Sequence, residues 1–119
     1  MLKPKSRNNS GYGYSADTAR RYVDGNDTLQ FLDIPVRIQK KYDQKKREYI
    51  DEVDYYAYHF YIIGRGFMEI RFPQEIESLS PYSEVEIVGL LCWVNDKGIP
   101  YFKADDVEVI KEWSLVEAD

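Results

Sequence analysis

The residues most suited to chemistry in this sequence are a run of cations and, just after it, a run of aromatic rings. Between positions 37 and 47 the chain holds six cations against one carboxylate, Asp43. Positions 55–63 then read Tyr-Tyr-Ala-Tyr-His-Phe-Tyr-Ile-Ile. Cations displace counterions from a phosphate chain, and flat rings stack on nucleobases without reading their sequence. The two runs favour a site for single-stranded nucleic acid; the alternative is a solvated hairpin tip beside rings that line a core.

The sequence offers little for catalysis. His59 is the only histidine and Cys92 the only cysteine, so the chain has no zinc ligand set and no nucleophile paired with a base. The acids of positions 48–54 are suitable Mg²⁺ ligands by type, but their spacing matches no known motif. Gly64-Arg65-Gly66 is too short for a phosphate-cradling loop and lacks its lysine. We therefore expect a non-enzymatic protein with no metal and no cofactor, in which His59 is a structural imidazole.

Length and composition indicate the class of protein. A chain of 119 residues is long enough for one domain with its own core. A single cysteine excludes an internal disulfide framework and fits a reducing compartment. No apolar run has membrane-spanning length and none follows the basic start, so we expect a cytoplasmic protein without a signal peptide. The net charge of −5, concentrated in an acidic last third, argues mildly against a protein that only holds phosphate.

The elements that must position these residues are predicted to be five strands and one short helix. Aromatic and β-branched residues without Gly or Pro predict a long central strand that contains the ring run. Gly and Pro punctuate the rest of the chain. The predicted strands are Thr28–Tyr42, Glu48–Ile63, Phe67–Phe72, Ser83–Val94 with an interruption at Gly89, and Ile99–Ile110; the predicted helix is Pro73–Leu79.

Alternation along these strands predicts which side chains share a face. The central strand carries rings on both faces, so its pattern leaves open which face is buried. Trp93 is a further candidate for stacking, but its apolar neighbours Leu90, Leu91 and Val94 favour a place in the core. The third strand should turn Phe67, Glu69 and Arg71 outward and Met68, Ile70 and Phe72 inward. Residues 1–27 are expected to form a flexible or loosely docked arm, with a short helix from Ser15 as N-cap to Val23, and residues 111–119 a short acidic tail.

This order of elements, over residues 28–110, resembles the five-stranded Greek-key barrel of OB-fold single-stranded DNA-binding proteins. The resemblance is carried by the basic loop Lys40–Arg47, the rings of Tyr55–Ile63, the helix Pro73–Leu79 and the hairpin around Asn95–Gly98. The size and the content of 11 tyrosines are most similar to the small single-stranded DNA-binding proteins of lactococcal phages.

The resemblance implies a non-enzymatic, oligomeric protein, expected to be a dimer, that coats single-stranded DNA and meets replication or recombination proteins. It implies a binding face formed by strands two and three with the loops that join strands one to two and four to five. Carried over by position, the binding residues would be Arg37, Lys41, Lys45, Lys46, Arg47, Tyr55, Tyr61, Arg65, Phe67, Arg71, Lys97 and Lys103.

Two other functions fit the same sequence. OB-like barrels host many functions, so the chain could be a protein-interaction or structural module whose acidic last third and Trp113 dock a partner. It could also bind single-stranded RNA, because no group that would recognise a 2′-hydroxyl can be identified. A dimer contact could come from an exposed edge near Pro35 or from the arm at 1–27.

Overall fold

The computed structural model describes residues 2–5, 13–77 and 79–112, which form one short helix and eight strands. The prediction of a mostly β protein is confirmed. Trp113 and most of the predicted tail lie outside the described residues. The elements are α1 (Ala16–Arg20), β1 (Leu29–Phe31), β2 (Arg37–Asp43), β3 (Glu48–Ile62), β4 (Gly66–Phe72), β5 (Glu84–Val88), β6 (Leu91–Val94), β7 (Pro100–Lys103) and β8 (Asp106–Lys111).

The strands form one open mixed sheet in the order β6-β7-β4-β3-β1-β5-β8, and β2 pairs with β3 beside β1. The pair β4–β7 is parallel, whereas the other ladders are antiparallel. The sheet has eight strands where five were predicted, because three of the predicted strands are each divided in two. The first break contains Pro35, which has no amide to donate to a ladder. The second contains Gly89, whose φ of 71° takes the backbone out of the strand conformation.

The predicted helix at Pro73–Leu79 is also wrong, since no helix forms over the described residues of this stretch. Its polar groups bind instead to β3 and to the loop between β7 and β8. The Ile76 amide donates to the Tyr58 hydroxyl at 3.0 Å, and Gln74 donates to the carbonyl oxygen of Asp105. Ile76 is thereby buried against β3. Tertiary partners have replaced the bonds that a helical turn would make.

The core lies on one side of β3 and β4. Tyr58, Phe60 and Ile62 of β3 are buried there, and the inward residues predicted for the third strand, Met68, Ile70 and Phe72, are buried with them. This confirms the predicted alternation of β4, since Phe67 on the other side is 67% exposed. The core also takes up Phe102 of β7, which the ring of Tyr22 meets edge-on at 5.5 Å.

The described parts of residues 1–27 pack against this same core. Leu2, Ala19 and Tyr22 are buried in it. The short helix predicted after Ser15 is confirmed, because the Ser15 hydroxyl accepts the amide of Thr18 at 3.1 Å and caps α1. The Ser15 main chain also pairs with Cys92 of β6. The segment before β1 is therefore tied to the edge of the sheet.

Over the residues described, no helix has the length and apolar character needed to cross a lipid bilayer.

Candidate nucleic-acid interface

The strand register decides which side chains share the face of the sheet opposite to the core. Ala57 of β3 lies between Arg37 of β2 and Arg71 of β4, and Arg71 in turn lies beside Lys103 of β7. Residues opposite one another in a ladder point to the same side. We call this side the outer face. It carries Arg37, Gln39, Tyr55, His59, Tyr61, Phe67, Glu69, Arg71, Leu91, Trp93, Tyr101 and Lys103.

Rings and cations contact one another across the outer face. The Arg71 guanidinium carbon lies 4.4 Å from the centre of the Tyr55 ring and 5.2 Å from that of Tyr101. Arg37 lies 5.4 Å from the same Tyr55 ring. Tyr101 is stacked on Trp93, with centroids 5.5 Å apart and planes inclined by 24°. Guanidinium groups at these distances are attracted to ring faces and hold the rings in place.

The segment before α1 adds a fourth ring to this array. The Tyr14 ring lies 6.2 Å from Trp93, and the Lys103 ammonium lies 4.4 Å from the Tyr14 centroid. Burial raises the pKa of Tyr14, although Arg71 opposes the shift, so the phenol stays neutral. We call the set Arg37, Tyr55, Arg71, Tyr101, Trp93, Tyr14 and Lys103 the ring–cation row.

Three members of the row, Trp93, Tyr101 and Tyr14, were not among the binding residues predicted from the sequence. The prediction that Trp93 lies in the core is wrong, because its neighbour Cys92 takes the inward position and is fully buried, while Trp93 is 36% exposed. Tyr101 was missed, although it stands two residues before Lys103, a spacing that puts both on one side of a strand. The alternation of side chains on either side of the buried Phe102 could have placed Tyr101 on the outer face.

Two clefts open on either side of Arg71. One has a volume of about 430 Å³ and is lined by Tyr14, Tyr55, Arg71, Lys103, Asp54 and Asp105, among others. We call it the Arg71–Lys103 cleft. The other has a volume of about 340 Å³ and lies among Arg37, Phe67, Glu69, Arg71 and Tyr101. The side chain of Arg71 thus lies between two concave surfaces of a size that accommodates small molecules.

The cations of the row differ in how far their charge is already neutralised. Arg37 donates to the Tyr55 hydroxyl at 3.0 Å and to Glu69 at 2.5 Å, and these bonds raise its pKa. Within residues 2–5, 13–77 and 79–112, Arg71 and Lys103 have no ion-pair partner. Their charge remains available to an anionic ligand.

The basic run predicted from sequence is divided by the register of the β2–β3 hairpin. Lys40 pairs with Asp51, and Lys41 with Glu52, each at 2.9 Å. The hydrogen bond that Lys41 donates to Glu52 raises the pKa of Lys41. The acids at the start of β3, which the sequence could not place, therefore neutralise lysines on the facing strand.

The tip of this hairpin carries the rest of the run. Asp43 accepts the amides of Lys45 and Lys46 at 2.9 and 3.2 Å and closes the turn. The side chains of Lys45, Lys46 and Arg47 are exposed, and no ion pair involving them occurs in the part of the chain that the structure describes. They form a second group of available cations, separate from the row.

The remaining predicted site residues lie apart from the row. Tyr61 and Phe67 form a ring pair, with centroids 5.1 Å apart, on the outer face toward the β3–β4 turn. Lys97 is exposed in the β6–β7 turn. Arg65 does not take part in the contacts of the outer face. It donates to the Lys3 carbonyl and pairs with Asp27, both at 3.1 Å.

Asp27 is the centre of a partly buried ion-pair cluster that fastens the N-terminal segment. Its side chain is 7% exposed and pairs with Arg65 and with Lys5, the latter at 2.9 Å. Burial acts to raise the pKa of Asp27, but the Asp24 amide, Lys5 and Arg65 outweigh it, so the pKa is lowered. Arg65 therefore has a structural task.

The histidine lies beside an acid, and the cysteine is buried in the core. His59 Nε2 lies 3.4 Å from Glu69, and its buried Nδ1 has no hydrogen-bond partner among the described residues. Burial raises the pKa of the Cys92 thiol to about 12, so it is not a nucleophile near neutral pH. Among the described residues, no three His, Cys, Asp or Glu side chains are grouped so as to hold a metal ion.

Compared with known protein families, with curated proteins and with solved structures, this chain has no match.

Proposed function

We propose that this protein binds single-stranded DNA without strong dependence on sequence, as a non-enzymatic accessory of cytoplasmic DNA replication or recombination. The observation that carries the proposal is the ring–cation row, in which four rings and three cations share one face of five strands. Rings stack on bases whatever their identity, and cations bind the phosphates between them. A face that offers both suits a flexible strand whose bases are unpaired.

The geometry of Tyr55 supports stacking by this face. Its ring is flanked by Arg37 and Arg71 and its hydroxyl is hydrogen-bonded, so the ring is held before a ligand arrives. Pre-organisation lowers the entropic cost of binding. A base can then stack on the exposed part of the ring or on the guanidinium plane of Arg71, since bases stack on both kinds of surface.

We further propose that the open sheet is an OB-fold with interrupted strands. If β1 and β2, β5 and β6, and β7 and β8 are each joined across their breaks, five strands remain. Their pairings then run 1-2-3-5-4-1, which gives every strand two neighbours. In OB-folds the face of strands two and three binds oligonucleotides. That face corresponds here to β3 and β4, where Tyr55 and Arg71 lie.

Tyr55 provides the decisive test. Fluorescence anisotropy of a labelled oligo-dT, with a duplex of matched length as reference, should show tight binding of the single strand only. Tyr55→Ala should weaken that binding by about 1–3 kcal/mol, because one stacking surface is lost. Tyr55→Phe keeps the ring and loses only the hydroxyl, so it should bind close to the unmodified protein. Equal affinity of all three proteins, or equal binding of the duplex, would contradict the proposal.

The competing functions separate in the same experiment. An oligo-U of the same length tests single-stranded RNA, and preference for it would replace DNA as the ligand. A protein-interaction module is favoured by the exposed apolar residues on the β2–β3 hairpin, where Ile38 is 52% and Tyr49 63% exposed. Failure to retain any single strand at low salt would favour that module.

We propose that the β2–β3 hairpin contacts a second copy of the chain. Light scattering would test whether the protein is a dimer.

A further inference from the structure

The Arg71–Lys103 cleft carries charges of both signs, which a surface that bound phosphate alone would avoid. Asp54 and Asp105 line it together with Arg71 and Lys103. None of these four side chains has an ion-pair partner within the described ranges. Carboxylates repel a phosphate chain, so they lower its affinity unless they bind another part of the ligand. The cleft therefore suits a ligand that presents an anion and hydrogen-bond donors together.

Gly89 leaves room for the Asp105 carboxylate at the wall of the cleft, because it has no side chain. A Cβ placed on Gly89 would come within 2.2 Å of the Asp105 Oδ2 atom, so the carboxylate occupies the space that a side chain would need. The Asp105 amide donates to the Val88 carbonyl at 2.9 Å, and its own carbonyl accepts from Gln74. Bonds on both sides of its backbone thus position this acid at the wall of the cleft.

Nucleobases differ in the donors they can offer to such a carboxylate. Guanine presents an N1–H and an exocyclic amino group side by side, both donors. Thymine presents one N–H between two carbonyl oxygens, which the carboxylates would repel. Adenine and cytosine are intermediate between guanine and thymine, because each presents one amino donor beside an acceptor. A site that needs donors discriminates against a ligand that lacks them.

We propose that the Arg71–Lys103 cleft is a base-selective subsite that prefers guanine to thymine within an otherwise sequence-tolerant interface. Tyr55 stacks on the base, Arg71 and Lys103 meet phosphates, and Asp54 and Asp105 accept the base amino and imino protons. The cleft volume of about 430 Å³ lies within the range of pockets for small ligands, about 300–1,000 Å³. This inference rests on the proposed function, because the guanine belongs to the bound strand.

The test uses a twelve-nucleotide oligo-dT in which one central position is dT, dI or dG. The full-length protein should bind the dG oligonucleotide about fivefold to tenfold more tightly than the dT oligonucleotide. The dI oligonucleotide should lie between, because hypoxanthine keeps N1–H and lacks the amino group. Asp105→Asn and Asp54→Asn should each bring the dG/dT affinity ratio toward one. Glu108→Gln, on β8 outside the cleft, removes an acid of the same charge and should leave the ratio unchanged.

The dG/dT affinity ratio tests the base-selective subsite separately from single-strand binding, on which it rests. Equal affinity for dG and dT oligonucleotides would overturn the base-selective subsite and leave single-strand binding intact. A dG preference that survives both Asp105→Asn and Asp54→Asn would also overturn it, because the selectivity would then lie elsewhere. Binding of none of the oligonucleotides at low salt would overturn both proposals.

Discussion

Replacing Arg71 and Lys103 by glutamine tests whether the outer face binds phosphate. These are the two cations of the ring–cation row without an ion-pair partner over the described residues. Each cation that neutralises a phosphate of a single strand contributes about 0.7 to the slope of log affinity against log salt concentration. Loss of both should therefore flatten that slope by about 1.4.

The effect is large enough to measure directly. A slope difference of about 1.4 corresponds to about a sevenfold difference over a fourfold change in salt. On going from about 50 to about 200 mM NaCl, the unmodified protein should lose about seven times more affinity than Arg71→Gln/Lys103→Gln. Anisotropy titrations of labelled oligo-dT at five salt concentrations would give both slopes. Circular dichroism of the variant would show that the fold is retained.

The β2–β3 hairpin provides a matched control. Lys40→Gln/Lys41→Gln removes the same number of cations, but both lysines are already neutralised by Asp51 and Glu52 at 2.9 Å. This control should flatten the slope by less than about 0.7. If the two double variants flattened the slope equally, local ion pairing would not determine which cations bind phosphate. If neither changed it, phosphate would not be bound at the outer face.

Three further predictions concern groups outside the row. Gly89→Ala should lower the free energy of unfolding in urea by about 1–2 kcal/mol, because φ is +71° there; an unchanged midpoint would contradict this. Cys92 should not react with a thiol reagent at about pH 8 until the protein unfolds, since burial raises its pKa to about 12; rapid native-state labelling would show otherwise. Asp27→Asn should lower stability at neutral pH by about 1–2 kcal/mol, as measured in urea. Because the folded pKa of Asp27 is below its ordinary 3.8, its contribution is present above that pH and lost on acidification, so the two proteins should converge below about pH 4. A constant gap down to strong acid would speak against the cluster.

Features that depend on adjacent residues could be predicted from the sequence. The alternation of β4 placed Met68 and Ile70 inward and Phe67 outward, because the two-residue period of a strand needs no knowledge of its neighbours. The Ser15 cap of α1 was predictable for the same reason, since its hydroxyl and the amide it accepts are three residues apart.

Features that depend on distant partners could not be predicted from the sequence. The helix predicted at Pro73–Leu79 does not form because Ile76 binds the Tyr58 hydroxyl, eighteen positions earlier in the chain. Lys41 was assigned to phosphate, and only the folding of the hairpin brought Glu52 within 2.9 Å of its ammonium group. Trp93 was assigned to the core on its apolar neighbours, although Cys92 holds the inward position. In each case the local sequence allowed more than one arrangement, and a contact with a distant residue selected one of them.

The sequence by itself determined a mostly β chain with rings and cations concentrated in its middle. Only the tertiary structure decided that Tyr55, Tyr101, Trp93 and Tyr14 share one face, because they lie on separate segments that meet through ladder pairing. The parallel pairing of β4 with β7 puts Arg71 beside Lys103, and the bridge of Ser15 to Cys92 brings Tyr14 to the same edge. Register is a non-local property of the backbone. It is therefore what converts a composition suited to nucleic acid into a candidate site.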